Sequence, residues 1–115
     1  MALLSKEQIL NSSDSSFEDV EVTEWGGTVR VQTMSGFARD RFESSIINNG
    51  KFTSDNIRAK LVAACLIDEN GKLMFSEKEV VALGNKSCKA LDKVFEVAQR
   101  LNGIGDSEVE QLAKN

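Results

Sequence analysis

The sequence predicts an α+β domain, mostly helical, with one N-terminal β-hairpin packed on four or five helices. Three observations carry that expectation. Cys88, Leu91, Val94, Phe95, Ala98 and Leu101 fall on a single helical stripe, and Ala38, Phe42 and Ile46 do the same at i, i+4, i+8. Earlier, Phe17–Val22 and Thr28–Gln32 alternate or nearly alternate apolar with polar residues, the period of a half-buried strand. Finally, 115 residues with 41% apolar and 28% charged side chains suit one soluble domain with one core. The divisions expected along it are a short helix and flexible linker at 1–16, the hairpin at 17–33 and a helical part at 35–115.

Ser5-Lys6-Glu7-Gln8 has the form of a capping box, with Leu4 and Ile9 as its hydrophobic staple, so a short helix should start there. Asn11-Ser12-Ser13-Asp14-Ser15-Ser16 is linker composition and stops it. Trp25-Gly26-Gly27 separates the two strands, and a glycine pair supplies the positive φ of a tight turn. Across the hairpin, Glu18, Glu21 and Glu24 can pair with Arg30. Since a two-stranded hairpin is marginal in water, it must rest on the helices.

Ser35 should cap a helix running to about Asn49, ended by Gly50. A second helix begins at Ser54 or Asp55 and turns Ile57, Leu61, Val62, Cys65 and Leu66 inward. After a turn at 68–72 and the apolar run Leu73-Met74-Phe75, Ser76-Glu77-Lys78-Glu79 forms another capping box, stapled by Phe75 and Val80, on a helix ending at Gly84. The longest helix should run from Ser87 to about Asn102, broken by Gly103 and Gly105. A short terminal helix capped by Asp106 or Ser107 would carry Val109, Leu112 and Ala113.

Composition argues against catalysis and against cofactors. With no His there is no Ser-His or Cys-His nucleophile and no imidazole ligand, and two Cys cannot build a four-thiolate zinc site. The nearest approach to a metal motif is a calcium loop counted from Leu66, which places Asp68, Asn70, Gly71, Leu73 and Glu77 at positions 3, 5, 6, 8 and 12. Leu66, however, stands where the first carboxylate is required, so the segment reads as a polar turn. Cys65, inside Leu61–Leu66, reads as a small buried hydrophobe, and Cys88 as a thiol in the first turn of its helix. Trp25-Gly26-Gly27 lacks the third glycine and following helix of a phosphate loop.

No apolar stretch approaches the ~20 residues of a membrane span, and charge at Lys6 and Glu7 interrupts any export signal, so a cytosolic protein without membrane contact is expected. The net charge of −4 disfavours nucleic-acid binding. The charge is uneven: residues 1–24 hold six acids and one base, whereas residues 25–100 hold nine acids and twelve bases. The basic middle could therefore meet an acidic partner or the acidic end of a neighbouring copy. Trp25, at the hairpin tip, has two readings: an exposed interface anchor, or a side chain folded back to fix the hairpin on the helices.

Taken in order, Met1-Ala2-Leu3-Leu4-Ser5-Lys6-Glu7-Gln8-Ile9-Leu10, Glu24-Trp25-Gly26-Gly27, Val29-Arg30-Val31, Met34-Ser35-Gly36 and Arg39-Asp40-Arg41-Phe42-Glu43 resemble the small tail assembly chaperones of long-tailed bacteriophages. So do Leu61–Asp68, Leu83-Gly84 and Val94–Asn102, so the resemblance spans essentially the whole chain. Thr23 departs from it, standing where Pro is expected. The resemblance implies a non-enzymatic factor, without cofactors, acting in the host bacterial cytoplasm. It would hold the tape measure protein soluble, promote tail tube assembly around it, and be absent from the finished virion. Many such proteins are also made in a longer, frameshifted form. On this reading the partner-binding face comprises Trp25, Arg30, Phe37, Arg39, Arg41 and Phe42, where aromatic side chains lie beside cations able to steer an acidic partner. The competing assignments are a minor virion or head–tail connector component, and a cytosolic adaptor for a globular partner.

Overall fold

The computed structural model describes residues 2–104, with Asn48 by its backbone only; the terminal helix expected after Asp106 lies outside them. Among the described residues, five α-helices and five strands follow in the order α1 (Lys6–Asn11), β1 (Phe17–Val22), β2 (Gly27–Gln32), α2 (Gly36–Ser45), β3 (Ile47–Asn48), β4 (Lys51–Phe52), α3 (Ile57–Cys65), β5 (Leu66–Ile67), α4 (Val80–Gly84) and α5 (Cys88–Leu101). Single 3₁₀ turns sit at Thr23–Trp25 and Glu77–Glu79. This is the mostly helical α+β arrangement expected.

The hairpin forms as the alternation dictates. Its register pairs Asp19 with Arg30, Val20 with Val29 and Glu18 with Val31, so Val20, Val22, Val29 and Val31 share the inner face. The chain reverses through the 3₁₀ turn, and of the glycine pair only Gly26 needs positive φ (75°); Gly27 already pairs with Val22. The cross-strand ion pair is not the one expected. Register places Asp19, not a glutamate, directly opposite Arg30, and the guanidinium donates to both its carboxylate oxygens at 2.7 and 3.1 Å. Glu18 and Glu24 point instead to α5, where Arg100 and Lys93 reach them at 2.7 Å each. A third strand, β5, joins the free edge of β2.

Helix α5 begins at an N-cap Ser87 that accepts from Ala90 N–H, and it buries Ala90, Leu91, Val94 and Ala98. It packs on the inner face of the hairpin and on α3. Because α3 also meets α2 and α4, most of it is covered, with Ala59, Leu61, Val62, Ala63 and Cys65 buried. Leu66 leaves the helix for strand β5, because its buried side chain and backbone complete the sheet.

Helix α2 ends at Ser45, four residues before the expected stop. Asn49 (φ 53°) and Gly50 (φ 75°) turn the chain into the β3–β4 hairpin, since Asn-Gly supplies two positive φ angles in succession. Lys60 Nζ donates to the carbonyl of Ser45 at 2.9 Å, placing a cation at the negative end of α2. The second capping box holds: Glu79 accepts from Ser76 N–H at 2.9 Å, but its residues form a 3₁₀ turn before the short α4. The turn at 68–72 is self-contained, with one Asp68 carboxylate oxygen accepting from the N–H groups of Asn70 (2.8 Å) and Lys72 (3.0 Å).

Candidate functional site

Packing α2 and the Leu73–Val81 segment on the same side of α3 leaves a groove of about 940 Å³ between them. Its floor is Phe42 of α2 with Ala63 and Ala64 of α3, where two small residues on a helix let the surface dip. Its walls are Phe37 and Arg41 of α2 on one side and Leu73, Phe75, Val80 and Val81 on the other. Phe37 is 73% exposed, Val81 70% and Leu73 52%. Among the described residues, this is where large exposed apolar side chains from separate elements line one concave surface. Polar side chains also line it, among them Asp40, Arg41, Ser44, Ser45, Asp55, Asn56, Lys60 and Glu77. Arg41 Nε donates to Glu77 at 2.7 Å, bridging α2 to the opposite wall, and the Arg41 guanidinium lies 5.8 Å from the Phe37 ring.

The six residues expected to form one partner face do not share one surface. Phe37, Arg41 and Phe42 meet at the groove, but Phe42 is only 4% exposed and serves as its floor, held inside the core by the helical stripe it shares with Ile46. Arg39 donates to Glu43 at 2.9 Å and to the Asn102 carbonyl at 3.3 Å, tying α2 to the end of α5 away from the groove. Arg30 lies on the outer face of the hairpin, occupied by Asp19 and stacked 4.3 Å over Phe17. Trp25 packs partly buried against the core, with its indole Nε1 inaccessible and unpaired. Its turn rests on α5, so the second of its two readings, the hairpin's anchor, is the geometry found. The groove's other wall was not anticipated. Its signal was available in Leu73-Met74-Phe75 and Val80-Val81, where only Phe75 and Val80 were given a partner, each other, and Leu73, Met74 and Val81 had none.

Among the described residues no three Cys, Asp or Glu side chains gather to hold a metal. Burial pushes the Cys65 thiol up to about 12, against a weaker opposing hydrogen bond from Asn102, so it stays protonated and inert. Cys88 is exposed. No described helix is long and apolar enough to cross a membrane. What the groove can do is receive spaced apolar side chains of a helix laid along it, with Arg41, Lys60 and the acidic residues at the rim fixing its orientation.

A small α+β domain whose three-stranded sheet packs on a buried helical layer defines a class by fold. The solved structure of the bacteriophage HK97 tail assembly chaperone is similar to it, with a TM-score of 0.62 over 87% of this chain and 95% of that one, at 20% sequence identity. At that identity the likeness is one of fold. No protein-family model matches the chain, and no curated protein does.

Proposed function

We propose that this protein is a tail assembly chaperone of a long-tailed bacteriophage. It binds an amphipathic helix of the tape measure protein in the α2–α3 groove and keeps that helix soluble in the host cytoplasm. It then yields the helix to tail tube subunits as they polymerise, and does not enter the particle. The observation that carries this reading is an open apolar groove of helix-binding character on a domain with the fold of a tail assembly chaperone. The residue-level resemblance along the whole chain supports it.

The physical logic follows from the client. A long helix destined for the inside of a tube exposes apolar stripes until the tube covers it, and spaced anchors in a groove mask such a stripe. The tube must later displace the chaperone, so each contact should be small, below about 1,200 Å² in total. Affinity then comes from several copies along one client. The test is coexpression with tape measure fragments. Soluble co-purification is expected with this chain and not with a Phe37→Glu variant. Fragments equally soluble without the chaperone, or presence of the protein in purified particles, would defeat the assignment, the latter in favour of a virion component.

A further inference from the structure

We infer that Asn56 and Gly84 act together as a latch that holds helix α4 against the start of α3, and so sets where the second wall of the groove stands. Two independent features meet at this contact. Asn49 and Asn56 are the non-glycine residues with positive φ among those described, at 53° and 56°. The hairpin turn at Asn49-Gly50 accounts for the first. Asn56 stands at the N-cap of α3, a position that ordinarily has extended backbone and a side chain bonded to its own helix, and it has neither. Its carboxamide reaches across to α4 instead, where Nδ2 donates to the Val80 carbonyl at 3.1 Å.

Gly84 is the other half. It is helical and has no positive φ, so its backbone makes no demand for glycine. Its space does. A Cβ there would lie 2.7 Å from Asn56 Cγ and Nδ2 and closer still to Oδ1, whereas at every other described glycine it would meet nothing within 4 Å. The missing side chain at position 84 is therefore the room in which the Asn56 carboxamide lies. Glycine within a helix is less stable than alanine, and a left-handed backbone is costly for a residue with a side chain, even Asn. Two unfavourable local choices that meet in one contact mark a feature the surrounding structure holds in place.

What the latch positions is the groove. Val80 and Val81 of α4 belong to its second wall, and Asn56 lines it as well. A helix of five residues is not stable by itself, so α4 takes its place from its contacts. Leu83 is buried in the core near the far end of α4, and Asn56 holds the near end at Val80. A further tie across the groove, from Arg41 to Glu77, is an exposed ion pair and holds weakly. Breaking the Asn56 contact should therefore free the wall without unfolding the core. The consequence for binding rests on the groove being the client site, as proposed above; the latch itself does not, and the test reads the two separately.

The experiment uses two latch variants of the full chain. Asn56→Asp keeps the shape of the side chain and tolerates positive φ, but a carboxylate cannot donate to the Val80 carbonyl. Gly84→Ala puts a methyl group where the carboxamide lies and forces it off. Spin labels on Phe37→Cys and Val81→Cys, exposed positions on the two walls, report the distance across the groove; Cys88→Ser removes the exposed thiol, and Cys65 is buried. The labelled parent should give one narrow distance distribution, and each latch variant should lose it while circular dichroism stays unchanged. The double variant should be no broader than either single one, because both remove the same contact. In unlabelled protein, affinity for a tape measure helix peptide should fall about five- to tenfold, the equivalent of one ordinary hydrogen bond. A parent-like distribution in Asn56→Asp, or a double variant broader than both singles, would overturn the inference. A lost distribution with unaltered peptide affinity would uphold the latch and overturn the client reading of the groove. Should Gly84→Ala misfold, Asn56→Asp, at an exposed position, decides alone.

Discussion

Phe37 and Phe42 lie five residues apart on α2, and the same substitution at each should have opposite consequences. Phe42 is 4% exposed on the floor of the groove and inside the core. Phe42→Ala removes a buried ring and leaves a cavity, at a cost of about 3–5 kcal/mol. For a domain of this size each kcal/mol lowers the melting temperature by about 4–8 °C, so a fall of at least about 12 °C is expected. Phe37 is 73% exposed. Only about a quarter of the 1.5–3 kcal/mol for burying such a side chain is at stake, and alanine's higher helix propensity returns roughly half a kcal/mol. Phe37→Ala should therefore melt within a few degrees of wild type. As a groove-wall anchor it should instead weaken binding of a tape measure helix by about 2 kcal/mol, roughly thirtyfold in Kd. The assays are thermal unfolding by circular dichroism and titration of a fluorescent tape measure peptide. If Phe37→Ala destabilises the domain as much as Phe42→Ala, the wall assignment is wrong; if it binds like wild type, the groove is not the client site.

Trp25→Ala should destabilise the domain by about 2–4 kcal/mol in chemical unfolding, because Trp25 anchors the hairpin on the core, while leaving peptide binding unchanged at concentrations where the protein is folded. The hydrogen bond from Arg30 holds the Asp19 carboxyl below its ordinary value, and that from Lys93 does the same for Glu24. Carboxylates depressed in the folded state contribute stability above their unfolded pKa, near 3.8 and 4.5, and lose it as pH falls through the lower folded values. Unfolding midpoints should thus drop below about pH 4.5, and less steeply in Asp19→Asn, an outcome that pH-dependent melting will show. A thiol reagent should label Cys88 alone in the native protein and both cysteines in denaturant, since Cys65 is 1% exposed; prompt labelling of two thiols in the native state would contradict the packing of α3.

Local chemistry determined much of this protein. Ser5 and Ser35 as N-caps, Gly26 in the reversal, the valines of the hairpin and the stripe of α5 all stand where period and capping rules put them. Such signals act within a few residues, so neighbouring side chains suffice to express them. The same rules had already contained the Asn49-Gly50 turn, where helix-stop and hairpin signals coincide in one dipeptide and the pairing of Ile47 with Phe52 decides between them. Register alone gave Arg30 to Asp19, and the crossing of α5 under the sheet gave Glu18 and Glu24 to Arg100 and Lys93. The groove proposed as the partner surface was the least legible part. A stripe reading Ala38, Phe42, Ile46 shows which residues turn inward, but not that α2 and the Leu73–Val81 segment close on α3 from the same side and leave a gap above Ala63 and Ala64. Whether an apolar side chain fills a core or lines a groove depends on what packs opposite it, and that depends on residues distant in sequence, so tertiary structure alone decided it.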